Sequence, residues 1–470
     1  MVNKTAMRVC RTMKRNGTIL FGLLISLAGS GAFATSAGAE QVTLDFCLKK
    51  ATQENPLILK EQEKLAAMKT YLQEAKNSRF LPEIKLRLVT GPVTDAKGDV
   101  LDPDLDKITA EELSINNVGP FFRAELDALQ PLYTFGAISS AIQAAGQGIK
   151  AEENKVELAR TALSDDLIDL YYAYQLALEV NNLQNDLRGE LAKIDEKIQE
   201  WLASSSGHVT QTDRLRLKVF TALLEKETLT SKKGLEQSRE VFFELCGVSP
   251  AESEIPVVPL SQDIAPLPDL SQYLDAALAN RPDLKALEAA TLAKQAQMGA
   301  VKSKYYPQIF LAGRLRYGYA PGRTPQNNPF VDDEFNFLDG GVVLGFEQKF
   351  GFHLTKQSMN RARAEYRELV YSQAALKMGT KIEVERNYRN VQEAVNRMKK
   401  TEEGLKAGRA WMFATRENYF LGVGDVKEVI DSFGAYLAVK WQSLEAIFDY
   451  QKCLNDLKIS AGEKPWSNNE

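Results

Sequence analysis

Hydrophobic positions along this chain keep two different periods, and the period switches in a fixed order. From Leu187 the apolar residues recur at Leu191, Ile194, Ile198 and Trp201, the four-three spacing of a coiled-coil seam. Val391, Val395, Met398 and Leu405 keep the same register, with Glu402 filling one place, and Val426, Ile430, Phe433 and Leu437 repeat it later. Four other stretches have period two. Ile84, Leu86 and Leu88 alternate with Lys85 and Arg87, and Phe122, Ala124, Leu126 and Ala128 with Arg123, Glu125 and Asp127. Ile309, Leu311, Leu315, Tyr317 and Tyr319 alternate with Gln308, Ala312, Arg314 and Arg316, and Val342, Leu344 and Phe346 with Gly341, Gly345 and Glu347. Strands are predicted over about 83–91, 121–130, 308–319 and 340–350. Each is apolar on one face and charged or small on the other, the pattern of a strand between lipid and a watery lumen. No helical layer is left over to cover the apolar faces, which favours a membrane strand over a soluble sheet.

Proline placement shows where helices end. None of the 17 prolines lies between Leu132 and Ser249 or between Val331 and Lys464, and a proline inside a helix costs about 3 kcal/mol. Both spans are predicted to be long helices, each broken once, at "SSSGHVTQ" around Gly207 and at "FLGVGDVK" around Gly422 and Gly424. Each is then a helix hairpin whose first arm, of roughly 65 residues, runs on the order of 100 Å. The second arm of the first hairpin, about Val209 to Cys246, is shorter. The helix from about Leu57 to Arg79 is expected to stack end to end with it and match the long arm.

The order of elements occurs twice. "SRFLPEIKLRLVT" at 78–90 and "SKYYPQIFLAGRL" at 303–315 are one helix-to-strand junction, and "LKKATQENP" ending at Pro56 matches "LDAALANRP" ending at Pro282. Pro82 and Pro307 end a helix because proline disfavours helical geometry before it and lacks the N–H a continuing helix needs. The chain divides into a first copy over 40–247, a Pro-rich connector over 248–269, a second copy over 270–460 and a tail over 461–470. Four strands cannot close a barrel, and an open edge in lipid leaves backbone groups unsatisfied. The smallest membrane barrels have eight strands, so several chains must share one; two give eight, three give twelve, and the pattern does not choose.

Charge and cysteine usage narrow the picture. Arg8, Arg11, Lys14 and Arg15 precede an apolar run from Ile19 to about Phe33 and the small residues Ala37, Gly38 and Ala39. That is an export signal over 1–39, with Gly22, Gly29, Ser30 and Gly31 arguing against a transmembrane anchor. Its removal leaves 53 basic against 62 acidic residues, a net charge of −9. Without a basic tract, this argues against a nucleic-acid partner. Cys47, Cys246 and Cys453 are far apart, odd in number and without CxxC spacing, so neither a disulfide framework nor a metal site is predicted. Nor does a cysteine at the cleavage site suggest lipid attachment. No later run is apolar enough for a helical span, so any membrane crossing must use strands. The strands are joined by long polar stretches, 92–119 and 320–339. Asp102, Asp104 and Asp106 in the first lack the later glycine and glutamate of a calcium loop. His208 and His353 lie near no cysteine or acidic pair in sequence. No catalytic constellation and no cofactor are expected.

The paired helix starts, "FLPEIKL" with "YYPQIFL", "LQPLYTFGAISSAIQAA" and "YFLGVGDVKEVIDS" together resemble the TolC-like outer membrane efflux protein family. Their order, in duplicate, carries the resemblance over essentially the whole chain after the signal. It implies a mixed fold of α-helices and membrane β-strands: long coiled-coil hairpins and four transmembrane strands per chain in two repeats. It further implies a homotrimer with a shared twelve-stranded barrel in the outer membrane and an α-helical tunnel through the periplasm. Such a duct serves an inner-membrane pump or a type I secretion system through a periplasmic adaptor (membrane fusion) protein.

Glu428 and Asp431 are three apart and share a helix face that points away from the seam of Val426, Ile430, Phe433 and Leu437. By the resemblance they would ring a periplasmic gate with six carboxylates in a trimer, favouring cations. Asp213 follows Gly207 as Glu428 follows Gly422, and is expected to bond across to the neighbouring hairpin, with Tyr419 as partner. The family often has a basic residue two after this glycine; Gly424 stands there, which predicts a more weakly held tip. The resemblance places adaptor docking at the tips, on Gly207, Val209, Thr210, Leu421, Gly422 and Val423. Lumen candidates are Lys85, Arg87, Arg123, Glu125, Asp127, Arg314, Arg316 and Glu347, whose mixed signs leave drug, metal and protein cargo open. The competing reading is a soluble periplasmic coiled-coil adaptor or scaffold. It predicts no strand alternation, and no compact lipoyl-like domain lies between the hairpin arms.

Overall fold

The structure is a computed structural model describing residues 40–95, 114–204, 209–249, 253–256, 260–264, 266–323, 325 and 332–467. The expected export signal, the aspartates at 102, 104 and 106, Gly207 and His208 lie outside these. Helices Leu44–Glu54 (α1) and Pro56–Phe80 (α2) lead into strands Glu83–Asp95 (β1) and Ser114–Tyr133 (β2). The hairpin Ala137–Ala203 (α3) and Gln211–Cys246 (α4) follows. The order then recurs: Leu270–Asn280 (α5), Pro282–Ser303 (α6), Gln308–Tyr319 (β3), Phe337–Glu347 (β4), Phe352–Phe420 (α7) and Val426–Ser460 (α8). At 67 and 69 residues, α3 and α7 are each about 100 Å long.

Proline opens α2 and α6 at the first helical position, where its missing N–H is no loss. The residue before each proline ties that helix start to the end of a hairpin. Asn55 accepts from the Leu57 N–H at 2.9 Å and donates through Nδ2 to the Leu245 carbonyl at 3.1 Å. Arg281 donates through Nη1 to the Ser460 carbonyl at 3.3 Å and is held by Glu383 at 2.7 Å and Asp283 at 2.8 Å. α4 thus ends where α2 begins, and α8 where α6 begins. The short helices lie in end-to-end pairs along the long ones, as expected for the first pair. α6 packs against both α3 and α7.

Leu187, Leu191, Ile194 and Ile198 form the predicted seam, all buried, against Leu217, Tyr419, Val426 and Phe433. Ile430 and Leu437 are only partly buried, and Val429, which the four-three reading passes over, is in the core instead. Burying each such aliphatic side chain contributes about 1.5–3 kcal/mol.

Two expectations are corrected. Cys47 and Cys246 form a disulfide across 199 residues, both essentially buried, with Cα atoms 5.1 Å apart; Cys453 is free. The stacking of α4 on α2 brings the end of α4 to α1, a long-range closure that cysteine spacing does not reveal. The strand limits also move. β1 and β2 reach 95 and 114, with Pro92 opposite Pro120 so that one rung collects both missing N–H groups. β4 runs 337–347 rather than 340–350: Glu347 pairs with Gln308, the first residue of β3, so the residues after it have no partner within the sheet.

Candidate functional site

The strands form an antiparallel meander in the order β1-β2-β3-β4, and the register places the predicted lumen residues on one face in rungs. Lys85 lies opposite Asp127, and Asp127 opposite Arg314. Arg87 lies opposite Glu125, Glu125 opposite Arg316, and Arg316 opposite Asp339. Signs alternate along each rung. Arg314 Nε reaches Asp127 at 2.7 Å, and Arg316 grips Asp339 with two bonds of 2.9 and 2.8 Å. Arg87 and Arg123 approach Glu125 at 3.4 and 3.9 Å. Exposed pairs of this kind contribute at most about 1 kcal/mol each, so their effect is on register, where like charges opposite one another would be unfavourable. Asp339 lies outside the predicted strand, which begins three residues later than β4 does.

The opposite face is bare hydrocarbon. Leu88, Val342 and Leu344 are each 71% exposed, and Ile84, Leu86, Leu315, Tyr317, Leu338 and Phe346 lie open on the same side. Both sheet edges, β1 and β4, lack a strand partner among the described residues.

The "YYP" motif has a clear task at the strand–helix boundary. Tyr306 stacks on Phe135 at 5.4 Å and Tyr305 on Phe352 at 6.3 Å. The end of α6 therefore holds the starts of both long helices. His353 sits exposed in the first turn of α7.

At the far end the second hairpin turns tightly. The Val423 N–H donates to the Asn418 carbonyl and the Gly422 N–H to the Tyr419 carbonyl, both at 3.0 Å, with Gly422 at φ +77°. This closes α7 with a left-handed cap that glycine adopts without strain. A Cβ on Gly424 would come within 3.0 Å of the Tyr419 backbone nitrogen, so close approach as well as turn geometry asks for glycine there. The turn leaves Leu421 and Val423 77% and 82% exposed. Of the other docking candidates, Val209 packs partly against the tip core and Thr210 caps α4.

The gate candidates separate. Glu428 and Asp431 are both exposed on α8, as the helical spacing predicts. Asp213 does not bond to Tyr419. Its carboxylate accepts from the Thr210 N–H at 3.0 Å and hydroxyl at 2.7 Å, completing a capping box, and also meets Arg216. The Thr-x-x-Asp signature of that box was readable in the sequence. Tyr419 is buried against Trp201 at 5.1 Å, its hydroxyl without a hydrogen-bond partner among the described residues. Burial first, and the Asp213 and Asp425 carboxylates next, push its phenol pKa well up. The bond that does join the hairpins near the tips is one the sequence reading missed, Arg416 to Glu190 at 3.0 Å. Arg416 is also held by Glu417 at 2.7 Å. Hydrogen bonds from Lys193, and then Arg416, hold the Glu190 carboxyl below its ordinary pKa despite partial burial. Further along, Lys452 pairs with Asp169, and Asn455 donates to Asp165 at 2.8 Å.

No protein-family model matches the chain. The structure of the outer-membrane channel OprN superposes with a TM-score of 0.70 at 16% identity, covering 93% of this chain and 99% of that one. The open state of the MtrE outer membrane channel of Neisseria gonorrhoeae gives 0.69 at 16% identity, over 92% and 94%. The fold is that of the TolC-like outer-membrane channels. In sequence, the outer membrane protein OprJ of Pseudomonas aeruginosa is 28% identical over 191 residues, 38% of this chain and 37% of that protein's length. Within the TolC-like fold the strand face and the hairpin tips, at opposite ends of the long helices, are the regions with chemistry to offer: one a charged ladder backed by bare hydrocarbon, the other an exposed apolar turn beside two exposed carboxylates.

Proposed function

We propose that this chain is one subunit of an outer-membrane exit duct, a passive channel of a tripartite efflux or type I secretion system. The observation that carries the reading is the sheet: one face bare hydrocarbon, the other a ladder of charge, both edges open, set at the end of helices about 100 Å long. A sheet of that kind is satisfied only in lipid, closed by more strands, around water. Similarity to outer-membrane channels over nearly the full chain supports the same conclusion. In the proposed assembly three chains, each of two structural repeats, share a twelve-stranded barrel in the outer membrane, and their hairpins form a periplasmic tunnel. The exposed turn of Leu421, Gly422 and Val423, with Gly207, Val209 and Thr210 of the first hairpin, receives the periplasmic adaptor that links the duct to an inner-membrane pump. Glu428 and Asp431 supply the charge at the narrow end, with Asp213 and Tyr419 behind them. The test is planar-bilayer conductance of the detergent-purified protein, for wild type and Glu428→Ala/Asp431→Ala. A small cation-selective conductance that the double change enlarges or makes less selective is expected. A conductance indifferent to the change would move the constriction elsewhere, and a soluble protein without any conductance would overturn the duct.

A further inference from the structure

The two open edges of the sheet carry matching charge. On the charged face of β1, at the end nearest the helices, stand Glu83 and Lys85; on β4 the same place is taken by Glu347, with Lys349 two residues on. In the single chain each acid is paired with the lysine of its own edge, Glu83 with Lys85 at 3.0 Å and Glu347 with Lys349 at 3.5 Å, and all four side chains are largely exposed. We infer that β4 of one copy pairs antiparallel with β1 of the next in a single register. That register sets Glu347 opposite Lys85 and Lys349 opposite Glu83. The inference rests on the reading of the chain as a subunit of a shared barrel, and adds to it the residues that fix the seam.

The charge pattern selects this register over its neighbours. A slip of one residue would turn the apolar face of one edge toward the lumen. A slip of two sets Glu347 opposite Glu83 in one direction; in the other it sets Lys349 opposite Lys85 while Glu347 faces Arg87, one like and one opposite pair. Only the intermediate register makes two opposite-sign pairs.

The helix end of the seam inside the chain points to the same register. Where β2 meets β3, Tyr133 pairs with Ile309 just past a register shift that follows Pro131; the ladder before that shift, carried over in the same way, would sit one residue off. Tyr133 lies three residues before Gly136, the N-cap of α3, and Ile309 two residues after Pro307. The residues so placed on the outer edges are Gln348, three before the N-cap Gly351 of α7, and Ile84, two after Pro82. Setting Gln348 opposite Ile84 puts Glu347 opposite Lys85. The stacked pair Phe135 and Tyr306 has its counterparts in Phe350 and Leu81, which are 79% and 60% exposed in the single chain. In this register those two bare side chains come to the same seam.

Thiol cross-linking tests the assignment on the full-length, outer-membrane-derived protein in a Cys453→Ser background. Lys85→Cys/Glu347→Cys is compared with the slipped pairs Lys85→Cys/Gly345→Cys and Arg87→Cys/Glu347→Cys. Lys85→Cys/Asp127→Cys, facing residues within one chain, reports that the first hairpin has folded. Dibromobimane, fluorescent only when it bridges two thiols, should give covalent multimers from the first pair in several-fold higher yield than from either slipped pair. The within-chain pair should label only the monomer band. Equal or better linking by a slipped pair overturns the register and leaves the shared barrel standing. Linking from none of the three between-chain pairs also overturns the register. Sedimentation of single chains in detergent would then overturn the shared barrel with it.

Discussion

Replacing both bridged cysteines, Cys47→Ala with Cys246→Ala, should cost the chain about 2–5 kcal/mol. The bridge closes 199 residues, and loop-closure entropy for so long a loop comes to about 5 kcal/mol, while measured disulfides centre on about 2–4. The other tie at the same joint, the 3.1 Å bond from Asn55 to the Leu245 carbonyl, contributes on the order of 1 kcal/mol. The bridge therefore outweighs that bond, and it acts beside the buried core that Leu48 and Ala51 of α1 share with Phe242 and Phe243 of α4. Alanine rather than serine is the right replacement, since both positions are buried and a buried hydroxyl without a partner would add its own cost of about 1–3 kcal/mol. The assay has two steps. Iodoacetamide labelling of the denatured, unreduced protein, taken from an oxidising compartment, should modify Cys453 alone of the three cysteines past the signal, and all three after reduction. Urea unfolding then compares wild type, wild type with reductant and the double variant; the last two should coincide. Labelling of all three thiols without reductant, or a double variant within about 0.5 kcal/mol of wild type, a typical surface-substitution effect, would refute the reasoning.

Two further outcomes follow from the helices. Burial, the nearby Asp456 charge and Asp166 raise the Asp165 carboxyl to about 6, with Lys452 and the Asn455 bond working against them. A carboxyl raised in the folded state favours folding where it is protonated, so this contribution is lost as pH rises through about 6. Asp165→Asn should therefore gain up to about 3 kcal/mol at pH 7.5 and little near pH 4, as read by melting temperature at both. Gly422→Ala should destabilise the second tip by about 1–2 kcal/mol, because φ is positive there. Leu421→Ala, at an exposed right-handed position, should not; amide exchange at Val423 distinguishes the two.

Much of the fold was legible because the two hydrophobic periods and the prolines agree. Period two marked all four strands, and the proline-free spans marked both hairpins. The seam was less legible at α8, which packs against α3 and α4 as well as α7 and has Val429 buried beside Phe433, wider than a four-three stripe. At the site, the rungs were half visible: charge on one face is a local pattern, but which acid meets which base is a matter of register between strands 187 residues apart, as for Arg314 and Asp127. Arg416 and Glu190, 226 residues apart, were beyond any local pattern for the same reason. Asp213 is the opposite case, a residue whose nearest partner, Thr210, was three positions away and was passed over for a distant one.

The tyrosines of "YYP" give the molecule the mechanics of a lever. They grip α3 and α7 at one end only, and each helix then runs about 100 Å to its tip. A tilt of one degree at the aromatic grip displaces the far end by about 2 Å over that length. In the duct proposed above, a change in how Tyr306 and Tyr305 lie on Phe135 and Phe352 is carried to the tips with that gain, and substitutions at the sheet end should be legible at the other end of the protein.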